Sequence, residues 1–221
     1  TPLNHIAMNV AKLVKARSDR ELRDDITKSD LVGVDGMGVL LGLKLAGVAV
    51  PERVAGIDLM MALIGECARQ GFRPYFFGAR PEVVRAAVEA ARARYPGLDV
   101  AGFRDGYFTA AEEPAVVAGI RDSGADCLFV ALPTPRKERF LAAHHDDLDV
   151  PFTMGVGGSF DVLAGMVPRA PAWVQRIGFE WLYRLLREPR RLWWRYASTN
   201  AAYAVLMLRL LAGRIANRGQ P

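Results

Sequence analysis

The feature that most constrains the fold is an alternation of short apolar runs with helix-like segments through the first three quarters of the chain. Residues 59–70 and 81–95 carry apolar side chains at spacings of three and four, and Pro96-Gly97 ends the second segment. Six runs have the length and composition of buried strands: 5–10, 31–34, 74–77, 99–103, 127–132 and 152–156. This alternation predicts a Rossmann-like α/β fold, with a mostly parallel sheet and helices on both faces.

Positive charge and aromatic residues are concentrated after Ala170-Pro171. From Arg169 to the end, the 221-residue chain has ten Arg and two acidic residues, whereas the preceding part has 19 basic and 22 acidic side chains. No strand pattern follows this point. We therefore predict an α/β domain over residues 1–170 and a helical, basic and aromatic appendage over residues 171–221.

Metal-binding, disulfide-rich and membrane-spanning classes find no support in the sequence. Cys67 and Cys127 lie sixty residues apart without a CxxC or a suitably spaced His, which predicts buried thiols. No run reaches the roughly 18 apolar residues of a spanning helix, and no signal peptide opens the sequence. We therefore expect a cytosolic protein.

A first candidate site lies where the second apolar run ends, in Val34-Asp35-Gly36-Met37-Gly38. In parallel sheets, ligands bind beyond the carboxyl ends of the strands, and glycines let the backbone approach a ligand closely. Asp35 is therefore well placed for chemistry. The alternative is that Asp35 caps the following helix, which is a common role of Asp.

A second candidate site is the glycine-rich turn Gly155-Val156-Gly157-Gly158, which also follows a predicted strand. Backbone N–H groups in such turns bind phosphate, although the spacing matches the dinucleotide fingerprint only loosely. A tight turn without a ligand is the alternative. Positive charge for a phosphate is available from Arg53, from Arg80 in Phe77-Gly78-Ala79-Arg80, and from Lys137. A solvated or paired surface charge is the alternative for each of these three.

The sequence predicts neither a metal site nor a cofactor. Asp147-Leu148-Asp149 is a DxD pattern, but it precedes a strand and is interpreted as a solvated acidic turn. His144 and His145 are adjacent, and adjacent residues on a helix do not share a face. Neither GxSxG nor HExxH occurs, so the common hydrolase chemistries find no support.

The appendage interleaves aromatic and basic residues in a way that is typical of interfacial helices. Seven of its residues are candidates for contact with an anionic membrane surface: Arg184, Arg187, Arg190, Arg191, Trp193, Trp194 and Arg195. A nucleic-acid-binding module is one alternative, and a non-catalytic scaffold is another. Because the first alternative explains neither Asp35-Gly36 nor the turn at Gly155, we predict no nucleic-acid partner.

Several motifs recur in a fixed order from about residue 6 to residue 195. They are Asp35-Gly36-Met37-Gly38, Glu52 to Leu59, Tyr95 to Leu98, Asp105 to Phe108, Phe129 to Leu132, Gly155 to Gly165, Arg169-Ala170-Pro171, and Glu180 to Leu185 with Glu188-Pro189. In sequence and order these motifs resemble the WecG/TagA/CpsF glycosyltransferase family (glycosyltransferase family 26).

The resemblance implies an inverting, metal-independent transfer from a UDP-sugar to a polyprenyl-diphosphate-linked acceptor, in the biosynthesis of surface polysaccharide or wall polymer. The sugar it implies is N-acetylmannosamine, its uronic acid or another hexose. The appendage would reach the inner face of the cell membrane, which makes the protein peripheral there. By its motifs, the resemblance makes Asp35 the base and places Asn9 and Arg53 in the active site. Whether the protein forms a homo-oligomer is left open.

Two positions depart from the family pattern. Ala7 stands where the family often has Thr, and Lys137 replaces the Gln of a PxQE motif in Pro135-Arg136-Lys137-Glu138. A cation in place of an amide is expected to favour a more acidic donor or the diphosphate. We assign Asp35 and Asn9 to catalysis, and assign to substrate binding Arg53, Gly78, Arg80, Lys137, Gly155, Gly157 and Gly158.

Overall fold

The computed structural model describes residues 2–187 and 189–218, except for the side chains at 191, 192, 195 and 214–218. The elements in chain order are β1 (Leu3–Met8), α1 (Val10–Ser18), α2 (Arg20–Lys28), β2 (Leu31–Val34), α3 (Met37–Ala46), α4 (Gly56–Gln70), β3 (Pro74–Gly78), α5 (Pro81–Arg94), β4 (Gly102–Arg104), α6 (Glu113–Asp122), β5 (Cys127–Ala131), α7 (Arg136–Ala143), β6 (Phe152–Gly155), α8 (Ser159–Leu163), α9 (Ala172–Arg176), α10 (Glu180–Arg187) and α11 (Pro189–Arg218).

The six strands form one parallel sheet in the order β2-β1-β6-β5-β3-β4. The central strand β5 pairs with both neighbours, so that Phe129 lies opposite Phe76 on β3 and opposite Met154 on β6. Helices separate successive strands, which lets each strand return in the same direction. The predicted Rossmann-like α/β fold is confirmed.

Two predicted strands differ from the observed ones by two or more residues at an end. β1 stops at Met8 because Asn9 begins a helix, its side-chain oxygen accepting a 3.0 Å hydrogen bond from the backbone N–H of Lys12. β4 begins only at Gly102, where backbone pairing with Tyr75 starts. Just before it, the N–H of Ala101 donates to the carbonyl oxygen of Pro74 on β3 at 3.0 Å, and Val100 is buried.

Alternation along the strands builds two hydrophobic clusters. Phe76 and Phe129 belong to the cluster that contains α4, α5 and α8, whereas Phe77 and Leu128 belong to the one that contains α6 and α7. All four of these side chains are fully buried. Burying a side chain of this size contributes about 1.5–3 kcal/mol to the free energy of folding.

Both cysteines are free and buried, in agreement with the prediction of buried thiols. A hydrogen bond with the Cys67 thiol, together with burial, raises the pKa of Cys127 well above its usual value. Cys127 is therefore a neutral thiol that serves as part of the core.

The chain divides into two units. The sheet unit comprises residues 2–7, 21–33 and 55–168, and the helical unit comprises residues 8–20, 34–54 and the described residues from 169 onward. In the helical unit, α11 packs against α1, α3 and α10. The functional division into residues 1–170 and 171–221 stays a prediction.

Candidate active site

Asp35 opens the turn between β2 and α3, in the helical unit. Its backbone N–H donates to the carbonyl oxygen of Met8 at 3.0 Å, and the N–H of Gly36 donates to the same oxygen at 3.3 Å. The side chain of Asp35 is half-buried. The residue that caps α3 is Gly36, so the alternative in which Asp35 is the helix cap is wrong.

Asn9 lies beside this turn. A Cβ atom added to Gly36 would be 3.4 Å from Asn9 Cα, so the two strand ends approach each other closely. The side-chain oxygen of Asn9 caps α1, which fixes the orientation of its amide group. The structure thus brings together the two residues that were predicted to be catalytic.

Arg53 ties the Asp35 turn to the C-terminal part of the helical unit. One guanidinium nitrogen donates to the carbonyl oxygen of Asp35 (3.2 Å), and another donates to that of Gln175 (3.4 Å). The same group lies 3.6 Å from a carboxylate oxygen of Glu180, and the Arg53 side chain is only 16% exposed. Arg53 is therefore a partly buried, paired cation that supports the turn, and its predicted contact with a substrate stays a prediction.

A second contact holds the helix that follows Asp35. The Tyr203 hydroxyl on α11 donates to the carbonyl oxygen of Gly38 at 2.6 Å, within the first turn of α3. A Cβ atom at Gly42 would collide with the same hydroxyl, so glycine is needed there. Burial raises the pKa of Tyr203 above its usual value, which keeps the hydroxyl protonated as a donor.

In the sheet unit, Gly78 ends β3 with a positive φ of 107°. A Cβ atom there would lie 2.6 Å from the backbone of Ala131, so glycine is needed for the close approach of β3 and β5. The next cation, Arg80, pairs with Glu82 at 3.1 Å and its side chain is 58% exposed. The ion pair agrees with the alternative interpretation of Arg80 as a paired surface charge. The role of Arg80 in substrate binding stays a prediction.

Lys137 is the exception among the predicted cations because its side chain is buried. Its ammonium nitrogen lies 3.0 Å from the Thr134 hydroxyl oxygen and 3.4 Å from a Glu138 carboxylate oxygen. The Thr134 hydroxyl in turn donates to that carboxylate oxygen at 3.2 Å. Lys137 is therefore a buried charge rather than a surface one, although it is paired, as part of the alternative held.

The glycine-rich turn after β6 lies against this lysine. A Cβ atom on Gly155 would be 3.0 Å from Lys137 Cε, and one on Gly157 would be 3.8 Å from Lys137 Nζ. Gly157 has a positive φ of 54°, and the buried Ser159 hydroxyl donates to the carbonyl oxygen of Val156 at 2.8 Å. The structure brings Gly155, Gly157 and Lys137 together as one polar corner of the sheet unit.

The acidic run near His144 is a surface feature. Asp147 and Asp149 are exposed on either side of the buried Leu148, and His144 pairs with Glu113 at 2.9 Å. Within residues 2–187 and 189–218, no group of three or more His, Cys, Asp or Glu side chains is arranged to hold a metal ion. Independence from metal stays a prediction.

Exposed aromatic side chains distinguish the end of the helical unit. Trp193 is 63% exposed and Trp194 is 77% exposed, while Trp181 stacks with Phe179 and contacts Tyr196. Of the predicted membrane arginines, Arg187 and Arg190 are exposed and Arg184 is half-buried; the side chains of Arg191 and Arg195 lie outside the described residues. In the part of the chain that the structure describes, no helix has both the length and the apolar character needed to cross a membrane.

Sequence reasoning missed four partners of these side chains. Thr134 lies three residues before Lys137 and Glu138 directly after it, so both partners were close in the sequence. Gln175 and Tyr203 lie more than 100 residues from the groups they bind, and nothing local in the sequence pointed to them.

The fold is a Rossmann-like α/β fold with a parallel sheet, a class in which ligands commonly bind beyond the carboxyl ends of the strands. A family model described as "Glycosyl transferase WecG/TagA/CpsF family" matches residues 2–217. The chain belongs to this family and is a glycosyltransferase, as the resemblance implied. The non-catalytic alternatives are therefore set aside.

Two curated relatives carry the same name, N-acetylglucosaminyldiphosphoundecaprenol N-acetyl-beta-D-mannosaminyltransferase. The one from Bacillus subtilis (strain 168) is 32% identical over 194 residues, which cover 88% of this chain and 74% of the relative. The one from Bacillus spizizenii is 35% identical over 184 residues, which cover 83% of this chain and 70% of the relative. These values support the same family assignment.

Proposed function

We propose that this glycosyltransferase moves a sugar from a UDP-sugar to a polyprenyl-diphosphate-linked sugar, with inversion at the anomeric carbon. The acceptor class follows from the names of the two Bacillus relatives, which specify an N-acetylglucosaminyl-diphosphoundecaprenol acceptor and an N-acetylmannosaminyl group. N-acetylmannosamine, its uronic acid or another hexose is the sugar transferred. The product contributes to surface polysaccharide or wall polymer.

Asp35 is the proposed general base, and its position in the turn after β2 is the observation that carries the proposal. Its carboxylate takes the proton of the acceptor hydroxyl while the oxygen attacks the anomeric carbon. The bond from that carbon to the diphosphate breaks, and UDP leaves with the bonding electron pair. Attack opposite the leaving group inverts the anomeric configuration.

The turn is held in a way that suits a catalytic carboxylate. Met8 binds its backbone from one side and Arg53 from the other, while Asn9 lies next to Gly36. A base must be held within a fraction of an ångström of its productive geometry, and fixed neighbours provide this. We assign Asn9 to the orientation of the acceptor hydroxyl, which its amide group could bind.

The donor diphosphate needs positive charge and N–H donors as charge develops on its oxygens. We propose that the turns at Gly78 and at Gly155 to Gly158 supply backbone donors, and that Arg53, Arg80 and Lys137 supply charge. The buried Lys137 beside Gly155 and Gly157 is the best supported of these assignments. No step of this mechanism requires a metal ion.

The protein is proposed to bind the inner face of the membrane, because a polyprenyl acceptor stays in the bilayer. Trp193 and Trp194 are exposed side chains of the type that enters the headgroup boundary. Each arginine near an anionic surface contributes about 1 kcal/mol to attachment. Exposed Arg187 and Arg190 are therefore expected to add to the aromatic contribution.

The test of this function is UDP release from a panel of UDP-sugars in the presence of a polyprenyl-diphosphate-linked N-acetylglucosamine. The Asp35→Asn variant keeps the shape of the side chain but loses its basicity, so we expect turnover to fall by about 10²- to 10⁴-fold. The matched control is Asp24→Asn, which changes an exposed Asp on α2.

Two results would contradict the proposal. The first is an Asp35→Asn variant that keeps more than about a tenth of wild-type turnover, which would remove Asp35 as the base. The second is a wild-type protein that releases no UDP from any donor in the panel. A strict requirement for Mn²⁺ or Mg²⁺ would leave the transfer reaction standing and overturn its metal independence.

A further inference from the structure

Lys137 lies in the first turn of α7 as a buried ammonium, and burying a charge is costly unless the charge has partners. Thr134 and Glu138 supply two of them, at 3.0 Å and 3.4 Å. An ammonium has three N–H donors. Among the residues that the structure describes, Lys137 Nζ has no third partner, so one donor is available to a ligand.

The backbone next to this donor is shaped to leave it accessible. Gly155 lies under the lysine stem, where a Cβ atom would be 3.0 Å from Cε and 3.1 Å from Cδ. A Cβ atom added to Gly157 would be 3.8 Å from Lys137 Nζ, which is an ordinary contact distance. Any larger residue at Gly155 would displace the side chain, whereas glycine lets the ammonium reach the turn that follows β6.

We propose that Lys137 makes this corner selective for an anionic oxygen group of the donor, either a phosphate of the nucleoside diphosphate or the carboxylate of a uronic acid. This rests on the proposed function, because it takes the donor to be a UDP-sugar. A buried ammonium binds an anionic oxygen more strongly than a neutral one. Lys137 is thus a specificity-determining residue that distinguishes donors by their negative charge.

The two anionic groups make different predictions for the Lys137→Gln variant, which keeps a donor N–H group but removes the charge. If Lys137 binds the diphosphate, the Kd of UDP rises and all UDP-sugars are affected equally. If it binds a sugar carboxylate, the Kd of UDP is unchanged and kcat/KM falls only for the uronate donor. In either case we expect a loss of about ten- to a hundredfold, the range for a hydrogen bond to a charged group.

The experiment combines calorimetric titration with UDP and steady-state kinetics with two donors, UDP-N-acetylhexosamine and its C6-carboxylate counterpart. Lys28→Gln is the matched control because Lys28 is exposed on α2 of the same unit. Lys137→Arg retains the charge and should retain most of the selectivity. Gly155→Ala retains the lysine but crowds its stem, and should reproduce part of the loss.

Thermal unfolding separates a loss of selectivity from a loss of folding. If Lys137→Gln unfolds, Gly155→Ala provides the test, since it keeps the charged side chain in the protein and shifts only its position. A folded variant whose UDP affinity and donor preference both stay within about twofold of wild type would overturn the inference while leaving transfer intact. A wild-type protein that binds UDP but transfers no sugar would instead overturn the proposed function, and one that binds no UDP would overturn both.

Discussion

Phe76, Phe77 and Phe129 of the sheet unit are completely buried, whereas Trp193 and Trp194 of the helical unit expose 63% and 77% of their surface. The two groups are chemically similar, yet only the first contributes its apolar area to folding. Exposed clusters of large apolar side chains mark sites of interaction. The difference teaches that these aromatic residues of the sheet unit build a core, while those of the helical unit leave apolar surface for a partner, which we propose is the membrane.

The largest effect that tests this comparison is expected in the sheet unit. Phe129→Ala should lower the free energy of unfolding by about 3–5 kcal/mol, because it leaves a cavity where Phe129 packs against Phe76. Denaturant titration measures the change. Trp194→Ala is the matched variant in the helical unit and should change stability by less than about 0.5 kcal/mol. Equal destabilisation by both would show that Trp194 contributes to folding after all.

A second test removes the exposed aromatic residues themselves. The double variant Trp193→Ser, Trp194→Ser should stay folded but bind anionic liposomes at least about tenfold more weakly, since burying each ring at the interface contributes roughly 1.5–3 kcal/mol. Flotation with vesicles measures the binding. Wild-type attachment should fall as salt rises, because the Debye length shrinks from about 10 Å at 0.1 M to about 3 Å at 1 M. Unchanged flotation of the double variant would contradict the membrane assignment.

Arg53 tests how the helical unit, which carries the proposed base Asp35, supports the reaction. Arg53→Ala removes the hydrogen bond to the Asp35 carbonyl and the contact with Glu180, so we expect kcat/KM to fall by about ten- to a hundredfold. Loss in kcat alone points to support of the Asp35 turn, whereas a raised KM for the donor and weaker UDP binding point to substrate contact. Arg69→Ala is the control, because Arg69 is an exposed residue paired with Glu66. Kinetics equal to those of wild type would remove both roles.

The smallest effect is expected for Tyr203→Phe. This change deletes one hydrogen bond, to the carbonyl oxygen of Gly38, and keeps the ring against α3. The free energy of unfolding should fall by about 1 kcal/mol, with a modest decrease in turnover. Parallel denaturation and UDP-release assays check this. A variant with full stability would mean that the hydroxyl finds an equally good partner.

The fold was predictable because buried strands appear in the sequence as short runs of apolar residues. Strand β2 was located to the residue, and β5 and β6 to within one residue, from runs of apolar side chains. Asn9 shows the limit of this reasoning. The apolar pattern predicted a strand up to residue 10, but the Asn9 side chain caps a helix that begins at Val10. Local capping energy there outweighs the strand pattern.

The candidate site was predictable only in part, because its contacts join distant positions. Sequence alone gives Lys137 a charge, but not its close approach to Gly155, which lies at the end of β6. The support of Asp35 through Arg53 reaches Gln175, 122 residues further along the chain. A pattern in a single sequence shows which residues are close along the chain. It does not show which distant residues come into contact in the fold.

The hydrogen bond between Tyr203 and Gly38 has a consequence for shortened forms of the protein. A protease cut or an engineered stop codon before residue 203 would remove the partner of the helix that begins two residues after Asp35. Such a product would also lose part of the packing of α11 on α1 and α3, so we expect a larger decrease in turnover than for Tyr203→Phe, even with a fully water-soluble acceptor. Poor turnover by a clipped sample therefore measures damage to the catalytic turn, and cannot be taken as a measure of how much the reaction needs a lipid surface.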